Sequence, residues 1–464
     1  MFRQALQFGL TSVLIVTSVS AFAAGDDYTT KPSYNLTLPG SDLSYGTAAD
    51  SFAADVTTSV SGYPLRGRFL AATGKDLFLQ KNFGADVWLK VASVPENMDP
   101  GFIRIAPGGA KIALGAGLYK PLYLFNSNAL SVASPPDLSS LSGVKIFEEI
   151  YFDAAWRGDR YLFINAGADN GGSEIYAVDS EGSTGRPIPI LPDIPGASGG
   201  VAFDAAGDLV TGIGYGDHTG QLKIWSSTSI SAALQGTTLS YATTGNVLAE
   251  GALSAASLGF DAHGNLYVGG GDAFGESGHY GYAAVVTAAV VQRVLGGGAL
   301  ADPASSSDYF KVQPDPCHND DATSVWYSSA LGMLVVTADL ASPESDCAPF
   351  DITQSGPASQ QYFSKDAPDS DGDGIPDGAD NAYLTPNPDQ KDADGDGWGD
   401  ADDCDADDDG IVDRGDLSAL MQAFASGRAD ANFAAGYDYN RDGQVDFADF
   451  AALKRRWGAI AVCQ

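Results

Sequence analysis

The sequence predicts a mainly β protein that ends in an acidic, partly helical tail. Between about residues 61 and 352, apolar and β-branched runs such as 162–164 and 222–225 alternate with glycine turns, and helical signals are nearly absent. From residue 366 to 449 the chain instead holds 24 aspartates, no glutamate and four basic residues, which gives this window a net charge of −20 out of −34. These two contrasting patterns predict an N-terminal β-propeller and a C-terminal tail of calcium loops with a small α-helical module.

The first 23 residues have the pattern of a secretory signal peptide. Arg3 supplies the positive start, residues 10–19 are mostly apolar, and residues 21–23 give a small-x-small cleavage site. The apolar part is too short and too rich in serine and threonine for a spanning helix, and no later stretch is long enough. We therefore expect an exported protein, secreted or associated with the cell surface, with residues 24–60 as an N-terminal extension.

A strand, turn and strand pattern recurs between residues 61 and 352 and predicts the blades of the propeller. The clearest copies turn at the Asp-x-x-Gly sequences 204–207 and 261–264, in which aspartate caps the backbone and glycine takes a positive φ. The turns predict six blades, with seven as the alternative count. A β-sandwich is the competing architecture, but it would need fewer regularly spaced turns. Weaker copies turn at Gly74, Gly109, Gly158 and Gly332.

Acids that end glycine-rich loops form a second repeat, which we place after the third strand of several blades. Equivalent loops of a propeller meet on one face, so these acids could ring the central channel and bind a cation or sugar hydroxyls. The alternative is that they are loop acids that point at solvent. His218 and His279 follow two of these loops, so general acid-base chemistry would sit on this face if the domain is an enzyme. The four acids are Asp169, Asp217, Asp272 and Asp339.

Motifs of known catalytic classes do not fit their sequence context in this chain. Residues 196–200 match a nucleophile elbow around Ser198, but they precede a strand within a glycine-rich loop. The histidines at positions 218, 263, 279 and 318 lack the spacing of a zinc motif. We therefore assign no catalytic residues, predict no organic cofactor, and expect a binding protein rather than an enzyme.

Four twelve-residue loops in the tail have the ligand spacing of calcium sites. Carboxylates or amides at positions 1, 3, 5 and 9 and an acid at position 12 surround calcium, while glycine at position 6 permits the turn. They predict about four calcium ions and a tail that folds only with calcium. A solvated acidic tail is the alternative, but a random acidic tract would lack the fixed glycines. The predicted ligands are Asp369, Asp371, Asp373, Asp377 and Asp380; Asp392, Asp394, Asp396, Asp400 and Asp403; Asp405, Asp407, Asp409, Asp413 and Asp416; and Asp438, Asn440, Asp442, Asp446 and Asp449.

The last two loops are each followed by a short amphipathic helix and have no helix before them. The duplicated loop-helix pattern resembles a type I dockerin over residues 404–464. This resemblance implies a module that docks onto a cohesin domain of another protein. The apolar residues at helical spacing are Leu417, Leu420, Met421 and Phe424 after the third loop, and Phe450, Leu453 and Trp457 after the fourth.

The sequence departs from the usual dockerin pattern at loop positions 10 and 11. Dockerins of the cellulosome kind usually carry small hydroxyl residues there, whereas this chain has Arg414, Gly415, Phe447 and Ala448. The surface that would select a cohesin is thus not the familiar one. A module that caps or positions its own protein, without any cohesin, is the alternative.

Residues 369–403 resemble thrombospondin type 3 repeats, in which aspartate loops wrap a string of calcium ions. The sequences 380–381, 387–390 and 394–400 carry the resemblance. Ala382 and Asp402 replace the cysteines of that family, so we expect the rigidity of this segment to come from calcium alone.

The four cysteines suit an exported protein with disulfides, and they allow three pairings. We favour Cys317 with Cys347 inside the propeller and Cys404 with Cys463 around the dockerin-like module. In the chain-entropy model the second disulfide stabilises its module by about 4 kcal/mol.

These observations predict a secreted, calcium-binding modular protein. The propeller would be a recognition domain, residues 353–368 a linker, and the tail a spacer and docking module for a cohesin-like or extracellular matrix protein, as in adhesion. The alternative is an extracellular carbohydrate-active hydrolase or lyase, or a lactonase, carried by a dockerin; the two clearest turns resemble those of NHL and gluconolactonase-like propellers over short motifs. Carbohydrate is a candidate ligand in both cases. The acidity argues against nucleic acid and anionic membranes as partners.

Overall fold

The fold is taken from a computed structural model of the chain, and the structure describes most of residues 47–313 and parts of the tail. The described residues are 28–29, 47–53, 56–81, 88–98, 102–115, 120–142, 144–148, 151–167, 172–182, 187–196, 199–213, 220–250, 255, 257–270, 282–302, 305, 308–313, 324–328, 332–338, 358–364, 367–377, 380–382, 385–390, 399, 404, 412–433, 437–439, 443–455 and 457.

Strands dominate the described part of the chain as far as residue 364. In chain order they are β1 Tyr28–Thr29, β2 Thr47–Ser51, β3 Ser59–Val60, β4 Tyr63–Pro64, β5 Phe69–Gln80, β6 Trp88–Met98, β7 Phe102–Ile105, β8 Lys111–Gly115, β9 Pro121–Asn126, β10 Lys145–Glu148, β11 Tyr151–Arg157, β12 Tyr161–Gly167, β13 Ser173–Asp179, β14 Ile188–Ile194, β15 Val201–Phe203, β16 Leu209–Thr211, β17 Gln221–Trp225, β18 Asn246–Glu250, β19 Ser257–Phe260, β20 Leu266–Gly270, β21 Tyr282–Val286, β22 Tyr309–Gln313, β23 Ser324–Ser328, β24 Met333–Ala338 and β25 Ala358–Ser364.

These strands form six antiparallel sheets of three or four strands within the described residues, which we number as blades 1 to 6. Their strand orders are β2-β5-β6, β7-β8-β9-β10, β11-β12-β13-β14, β15-β16-β17-β18, β19-β20-β21-β22 and β23-β24-β25-β1. The first strands of neighbouring blades contact each other in the order β2, β7, β11, β15, β19, β23, and β23 returns to β2. A closed ring of sheets with sequential strands is a β-propeller. The apolar core lies between successive blades, as in the cluster that joins Phe163 of blade 3 to Trp225 of blade 4.

The ring is closed by a strand from the beginning of the chain. Strand β1 pairs antiparallel with β25, with Tyr28 opposite Ser364 and Thr29 opposite Phe363. The propeller therefore extends beyond the predicted limits of 61 and 352: β1 and β2 fall in the predicted N-terminal extension, and β25 falls in the predicted linker. The sequence missed them because β1 has two residues and the run 358–364 is mostly polar, so neither has an apolar strand pattern.

The predicted glycine turns adopt the expected backbone conformation. Gly109, Gly158, Gly207, Gly264 and Gly332 all have φ between +56° and +83° and lie between the first and second strands of blades 2 to 6. Gly74 also has a positive φ of +56°, but it lies inside β5, where the pairing with β6 shifts register. It therefore marks a bulge and not a blade hairpin, because glycine serves both purposes with the same φ.

The two Asp-x-x-Gly turns share one hydrogen-bond pattern. Oδ1 of Asp204 accepts from the N–H groups two and four residues further on, at 3.0 and 2.8 Å. Oδ1 of Asp261 accepts from the corresponding groups of His263 and Asn265, at 2.9 and 2.8 Å. Each aspartate thus holds its own hairpin closed, as the sequence predicted.

In both Asp-x-x-Gly turns, the residue after the glycine caps the start of a helix that lies further along the chain and that the sequence did not predict. Oδ1 of Asp208 accepts from the N–H of Ser227, and Oδ1 of Asn265 accepts from the N–H of Ala288. These residues start α1, Ser227–Leu234, and α2, Ala288–Leu295, between the third and fourth strands of blades 4 and 5. Both helices have only eight residues, and the apolar residues Val290, Val291 and Val294 of α2 recur at helical spacing and are buried.

Charged side chains on the first strands tie neighbouring blades together. Oδ2 of Asp50 on β2 accepts from the N–H of Ile105 on β7 at 2.7 Å. Arg104 on β7 forms a 2.6 Å ion pair with Asp153 on β11, whose Oδ2 accepts from the N–H of Val201 on β15 at 2.9 Å. Burial raises the pKa of Asp153 and raises that of Asp50 to about 6, while Arg104 opposes both shifts.

The buried carboxyl of Asp50 makes the propeller less stable as pH rises from about 4 to about 6. Its folded-state pKa of about 6 exceeds the ordinary value of 3.8, so the folded state keeps a proton that the unfolded state releases. The free energy of unfolding then falls through this window by up to about 3 kcal/mol. We expect Asp50→Asn to remove this part of the pH slope in denaturant unfolding followed by near-ultraviolet circular dichroism. Glu250→Gln, an exposed change that keeps its acceptor, should retain the wild-type slope; equal slopes in all three proteins would contradict the assignment.

Candidate metal centre

The described residues include nearly all of one predicted calcium loop and parts of two others. All five predicted ligands of the first loop are described, together with positions 9 and 12 of the third and positions 1, 9 and 12 of the fourth. The other predicted ligands lie outside the described residues. These are Asp392, Asp394, Asp396, Asp400, Asp403, Asp405, Asp407, Asp409, Asn440 and Asp442.

The first loop, residues 369–380, folds around its own aspartates. Asp369 accepts from the N–H groups of Gly372 and Gly374, at 2.8 and 3.0 Å. Both glycines have positive φ, +79° and +91°, so the turn at Gly374 has the conformation that position 6 requires. Oδ1 of Asp371 and Oδ1 of Asp373 each accept from the N–H two residues further on. The loop conformation is therefore set by the same side chains that are predicted to bind the ion.

Three carboxylates of this loop converge closely enough to share one cation. Asp369, Asp371 and Asp373 each offer an oxygen, and these atoms lie within 4.8 Å of one another. The pKa of Asp371 is raised by burial and by repulsion from its two neighbours. Its buried Oδ2 has no hydrogen-bond partner in the described structure. Converging carboxylates with an unsatisfied buried oxygen fit a hard cation with oxygen ligands, such as calcium.

The two remaining predicted ligands of the loop differ from each other. Asp380 is 1% exposed, and its Oδ2 has no hydrogen-bond partner in the described part of the chain. Burial, with repulsion from Asp373 and Asp371, raises its pKa to about 6. Asp377 instead accepts from the N–H and the hydroxyl of Ser370, both at 2.7 Å. Position 9 of such loops often reaches calcium through a water molecule, which is compatible with this bonding.

The first loop starts against the closing blade of the propeller. Strand β25 ends at Ser364, and a Cβ atom at Gly332 would lie 2.7 Å from Cα of Ala367. The carbonyl of Pro368 accepts from the N–H of Asp377 at 2.7 Å. The entry to the loop is thus packed on the β23–β24 turn at one end and bonded to the loop at the other.

The third and fourth loops repeat one geometry at positions 9 and 12. Asp413 and Asp446 accept at Oδ1 from the N–H two residues further on, both at 2.7 Å. Asp416 and Asp449 accept at Oδ2 from the N–H of position 9, at 2.5 and 2.8 Å. In both loops the position-12 carboxylate thus accepts from the N–H of position 9 at a helix start, and at the start of α3 Asp413 and Asp416 form a complete capping box. Both position-12 carboxylates are fully buried, and Oδ1 of Asp416 has no partner in the described structure.

The helices that follow form a small apolar core. Helix α3, Arg414–Ala423, contacts α4, Phe447–Arg455, and the strands β26 Ser426–Gly427 and β27 Gln444–Val445 pair beside them. Leu420 and Leu453 are fully buried in this core, as the helical spacing predicted. Met421 and Trp457 are 52% and 49% exposed, contrary to prediction. Met421 lies next to the buried Leu420 but on the outer side of α3, and Trp457 lies beyond the end of α4.

Cys404 is fully buried in this core and is disulfide-bonded. Its partner, and the residues Cys317, Cys347 and Cys463, lie outside the described residues. The predicted pairings therefore stay predictions.

Loop position 10, one of the two positions where a dockerin would contact a cohesin, is exposed in both the third and the fourth loop. Phe447 is 74% exposed, and Arg414 is also exposed. The Phe447 ring packs edge-on against Phe424, with 5.0 Å between the ring centroids. The module thus presents an aromatic pair where a cellulosomal dockerin would present small hydroxyl residues.

The predicted acids of the propeller face lie outside the described residues, as do Ser198 and the histidines at 218, 279 and 318. The strand bounds place these acids after the second strand of blades 3 to 6, and not after the third as predicted. Strands alternate in direction within each blade, so the ends of β12, β16, β20 and β24 share one face. The acids are Asp169, Asp217, Asp272 and Asp339.

The sequence reasoning overlooked side-chain amides next to the first loop. Nε2 of Gln390 donates to Oδ1 of Asp380, and the N–H of Asn387 donates to Oδ2 of Asp373, both at 2.8 Å. These bonds add to any contribution of calcium, and the expectation that calcium alone makes this segment rigid stays a prediction. The sequence signal for these amides is the run 387–390, Asn-Pro-Asp-Gln.

Comparison with known proteins adds a family for the C-terminal module. Residues 403–457 match the profile of the family described as Dockerin type I domain. A search of curated proteins found no match for the chain.

Solved structures similar to this chain have low sequence identity. A gluconolactonase from Xanthomonas campestris is 9% identical, with a TM-score of 0.41, over 72% of this chain and 98% of that one. A carbohydrate-active enzyme from Trichoderma reesei is 12% identical, with a TM-score of 0.40, over 70% and 98%. A calcium-binding regucalcin from Agrobacterium tumefaciens is 12% identical, with a TM-score of 0.38, over 72% and 97%.

Helices of the described segments are all too short or too polar to cross a lipid bilayer.

The buried carboxylate of Asp416 can be tested against an exposed one in the same module. Asparagine at position 416 or 430 keeps an oxygen that can accept the N–H bond seen in the structure, and each change removes one charge. Of these two positions, only 416 is a predicted ligand with an unsatisfied buried oxygen. We expect Asp416→Asn to lower the number of calcium ions bound by the full chain by one, as measured by equilibrium dialysis, and to remove the calcium-induced gain of helix. Asp430→Asn should behave as wild type; equal behaviour of the two variants would contradict the ligand role.

Proposed function

We propose that this chain is an exported, calcium-binding modular protein whose C-terminal module docks onto a protein partner while the propeller presents a recognition face. The observation that carries the proposal is the dockerin type I match at residues 403–457, together with the repeated bonding of positions 9 and 12 in both of its loops. A dockerin is a docking module, and its calcium loops hold the two helices that make the contact surface.

Calcium loading of the tail is supported by electrostatics. The window of residues 366–449 carries a net charge of −20, and self-repulsion of this size opposes a compact state. Unsatisfied buried oxygens of Asp371, Asp380 and Asp416 lie at predicted ligand positions of two separate loops. Calcium satisfies these oxygens and offsets the charge at once, so binding and folding are coupled. Export, which the first 23 residues support, supplies calcium at the millimolar level that extracellular modules use.

The chemistry of the docking surface favours a cohesin-like partner with an apolar pocket. Phe447 projects from loop position 10 with 74% of its surface exposed, and Met421 adds a second exposed apolar side chain on α3. Large exposed apolar side chains of this kind are typical anchors of protein interfaces. The partner must therefore offer an apolar cavity where other cohesins hydrogen-bond hydroxyl groups.

The docking function is tested by binding of the mature full-length chain to a panel of immobilised type I cohesins, with and without a calcium chelator. We expect at least one cohesin to bind only with calcium. Phe447→Ala should weaken that complex by at least tenfold, since aromatic anchors contribute about 2 kcal/mol or more. Asp416→Asn should abolish binding, and Asp430→Asn should not. Full calcium loading without capture of any cohesin would overturn docking and favour a module that positions its own protein.

A second candidate function is an extracellular propeller enzyme acting on a carbohydrate or lactone. It rests on the sheet topology, because the ends of β12, β16, β20 and β24 share one face and each is followed by one of the four acids. If these acids hold a metal that polarises a carbonyl, Asp217→Asn and Asp272→Asn should each lower kcat by about 100-fold or more in a screen of lactones and polysaccharides. Glu250→Gln should leave the rate unchanged. Absence of turnover, or activity that survives both acid substitutions, would exclude this candidate.

A further inference from the structure

Residues 381–390 fold back onto the first calcium loop through a network of side-chain amides. Nε2 of Gln390 donates to Oδ1 of Asn387 at 2.8 Å, and its Oε1 accepts from the N–H of Asn381 at 3.0 Å. Nδ2 of Asn387 donates to Oδ1 of Asn381 at 2.6 Å. Asn387 is 1% exposed, and Asn381 and Gln390 are half-buried, so the centre of the network is shielded from competing water. The three amides therefore form one bonded unit.

The backbone of Gln390 adopts an unfavourable conformation within this unit. Its φ is +48°, a left-handed conformation that residues other than glycine, asparagine and aspartate seldom adopt. The carbonyl of Gln390 accepts from Nδ2 of Asn381 at 3.2 Å, so both the backbone and the side chain of this residue are bound. A strained residue with so many bonds is over-determined by its surroundings, which is the usual mark of a functional position.

The amide unit contacts two of the predicted calcium ligands, and it takes one oxygen from each. The backbone N–H of Asn387 donates to Oδ2 of Asp373, and Nε2 of Gln390 donates to Oδ1 of Asp380, both at 2.8 Å. Oδ1 of Asp373 accepts from the N–H of Ile375 within the loop. The other oxygen of Asp380 stays buried and without a partner in the described structure. A carboxylate that is fixed through one oxygen can rotate little about its terminal torsion, so its second oxygen is aimed at one place.

We propose that Asn381, Asn387 and Gln390 form an amide clamp that positions Asp373 and Asp380 as calcium ligands of the first loop. The clamp touches the ligands and not the ion, so its members are positioning residues. The proposal rests on the calcium function proposed above. Outer-shell partners of this kind typically change metal affinity by about 10- to 100-fold.

The clamp also supplies the cross-link that the cysteines of thrombospondin type 3 repeats would give. Ala382, at the position of one such cysteine, is fully buried beside the network, and the N–H of Ala382 donates to Oδ1 of Asp380 at 2.8 Å. Gly399 packs against the other side, where its N–H donates to the carbonyl of Asn381 at 2.9 Å. A Cβ at Gly399 would collide with Oδ1 of Asn381 and lie 2.7 Å from Nδ2 of Asn387. A methyl group here must therefore displace the amides while leaving every carboxylate intact.

The test compares Gln390→Met with Gln422→Met in the mature full-length chain, because Gln422 is an exposed residue of α3. Both variants lose the same amide and change no charge. Calcium binding is followed by equilibrium dialysis, and europium luminescence lifetimes in H₂O and D₂O count the water molecules on the bound ion. The difference between each protein and its Asp371→Asn derivative isolates the first loop.

We expect Gln390→Met to bind the wild-type number of ions at saturation, but to raise the calcium concentration that half-fills the first loop by about tenfold. The number of water molecules bound to europium in that loop should rise, because the carboxylates of Asp373 and Asp380 are no longer oriented towards the ion. Loss of an amide with a merely structural role would not change this number. Gln422→Met should match wild type in both measurements. Gly399→Ala should shift both in the same direction as Gln390→Met, which separates loss of the clamp from a folding defect specific to methionine.

Two outcomes overturn the proposal, and they are distinguishable. If Asp371→Asn removes an ion from the wild-type count while Gln390→Met and Gly399→Ala keep wild-type affinity and hydration, the clamp is wrong and the calcium function stands. If Asp371→Asn removes no ion, the first loop is not a calcium site, and both the clamp and that part of the proposed function fall.

Discussion

Mutual repulsion among aspartates governs the C-terminal fifth of this protein. A window with 24 aspartates and four basic residues cannot be compact by apolar burial alone, and the core of the C-terminal module is small. The structure nevertheless buries carboxylates completely, at Asp416 and Asp449, and brings three others within 4.8 Å of one another. Burial of a charge costs several kcal/mol unless a cation, a proton or hydrogen bonds offset it. Calcium bound as proposed above would offset this charge and would be a structural part of the tail.

The propeller, in contrast, is stabilised by apolar contacts between its blades and by a few charged side chains that join neighbouring blades. Its blades bury large side chains between sheets, and Asp50, Arg104 and Asp153 join the first strands around the ring. Closure needs a strand from each end of the domain, since β1 completes the blade that β25 belongs to. Strand β25 of that blade ends at Ser364, and Ala367, just before the first predicted calcium loop, packs against Gly332. The tail is thus attached at the closing blade, where the two ends of the domain meet.

The sequence was most informative where one residue type has one physical role. Glycine with positive φ and aspartate as a turn cap located the hairpins of blades 2 to 6, and the same chemistry located the loop at Gly374. It was least informative where the same residue serves two purposes. Gly74 marks a bulge rather than a hairpin, and the mostly polar run 358–364 is a strand, paired on both sides, without an apolar pattern. Helices α1 and α2 have eight residues each, and their first N–H groups also bond Asp208 and Asn265 of another hairpin, a contact that the local sequence does not show.

The sequence by itself determined the mainly β character of the large domain, the calcium-loop spacing of the tail and the loop-helix duplication, because these depend on local rules of turn chemistry, alternation and ligand count. Tertiary structure alone decided which carboxylate oxygens are left for an ion, since that depends on partners such as Gln390 and Asn387 that lie 10 and 14 residues away from the ligands they bond. It also decided that Phe447 is exposed while Leu453 is buried, and that the first strand of the chain closes the last blade. Contacts between distant residues carry no periodic signal, so only the folded chain shows them.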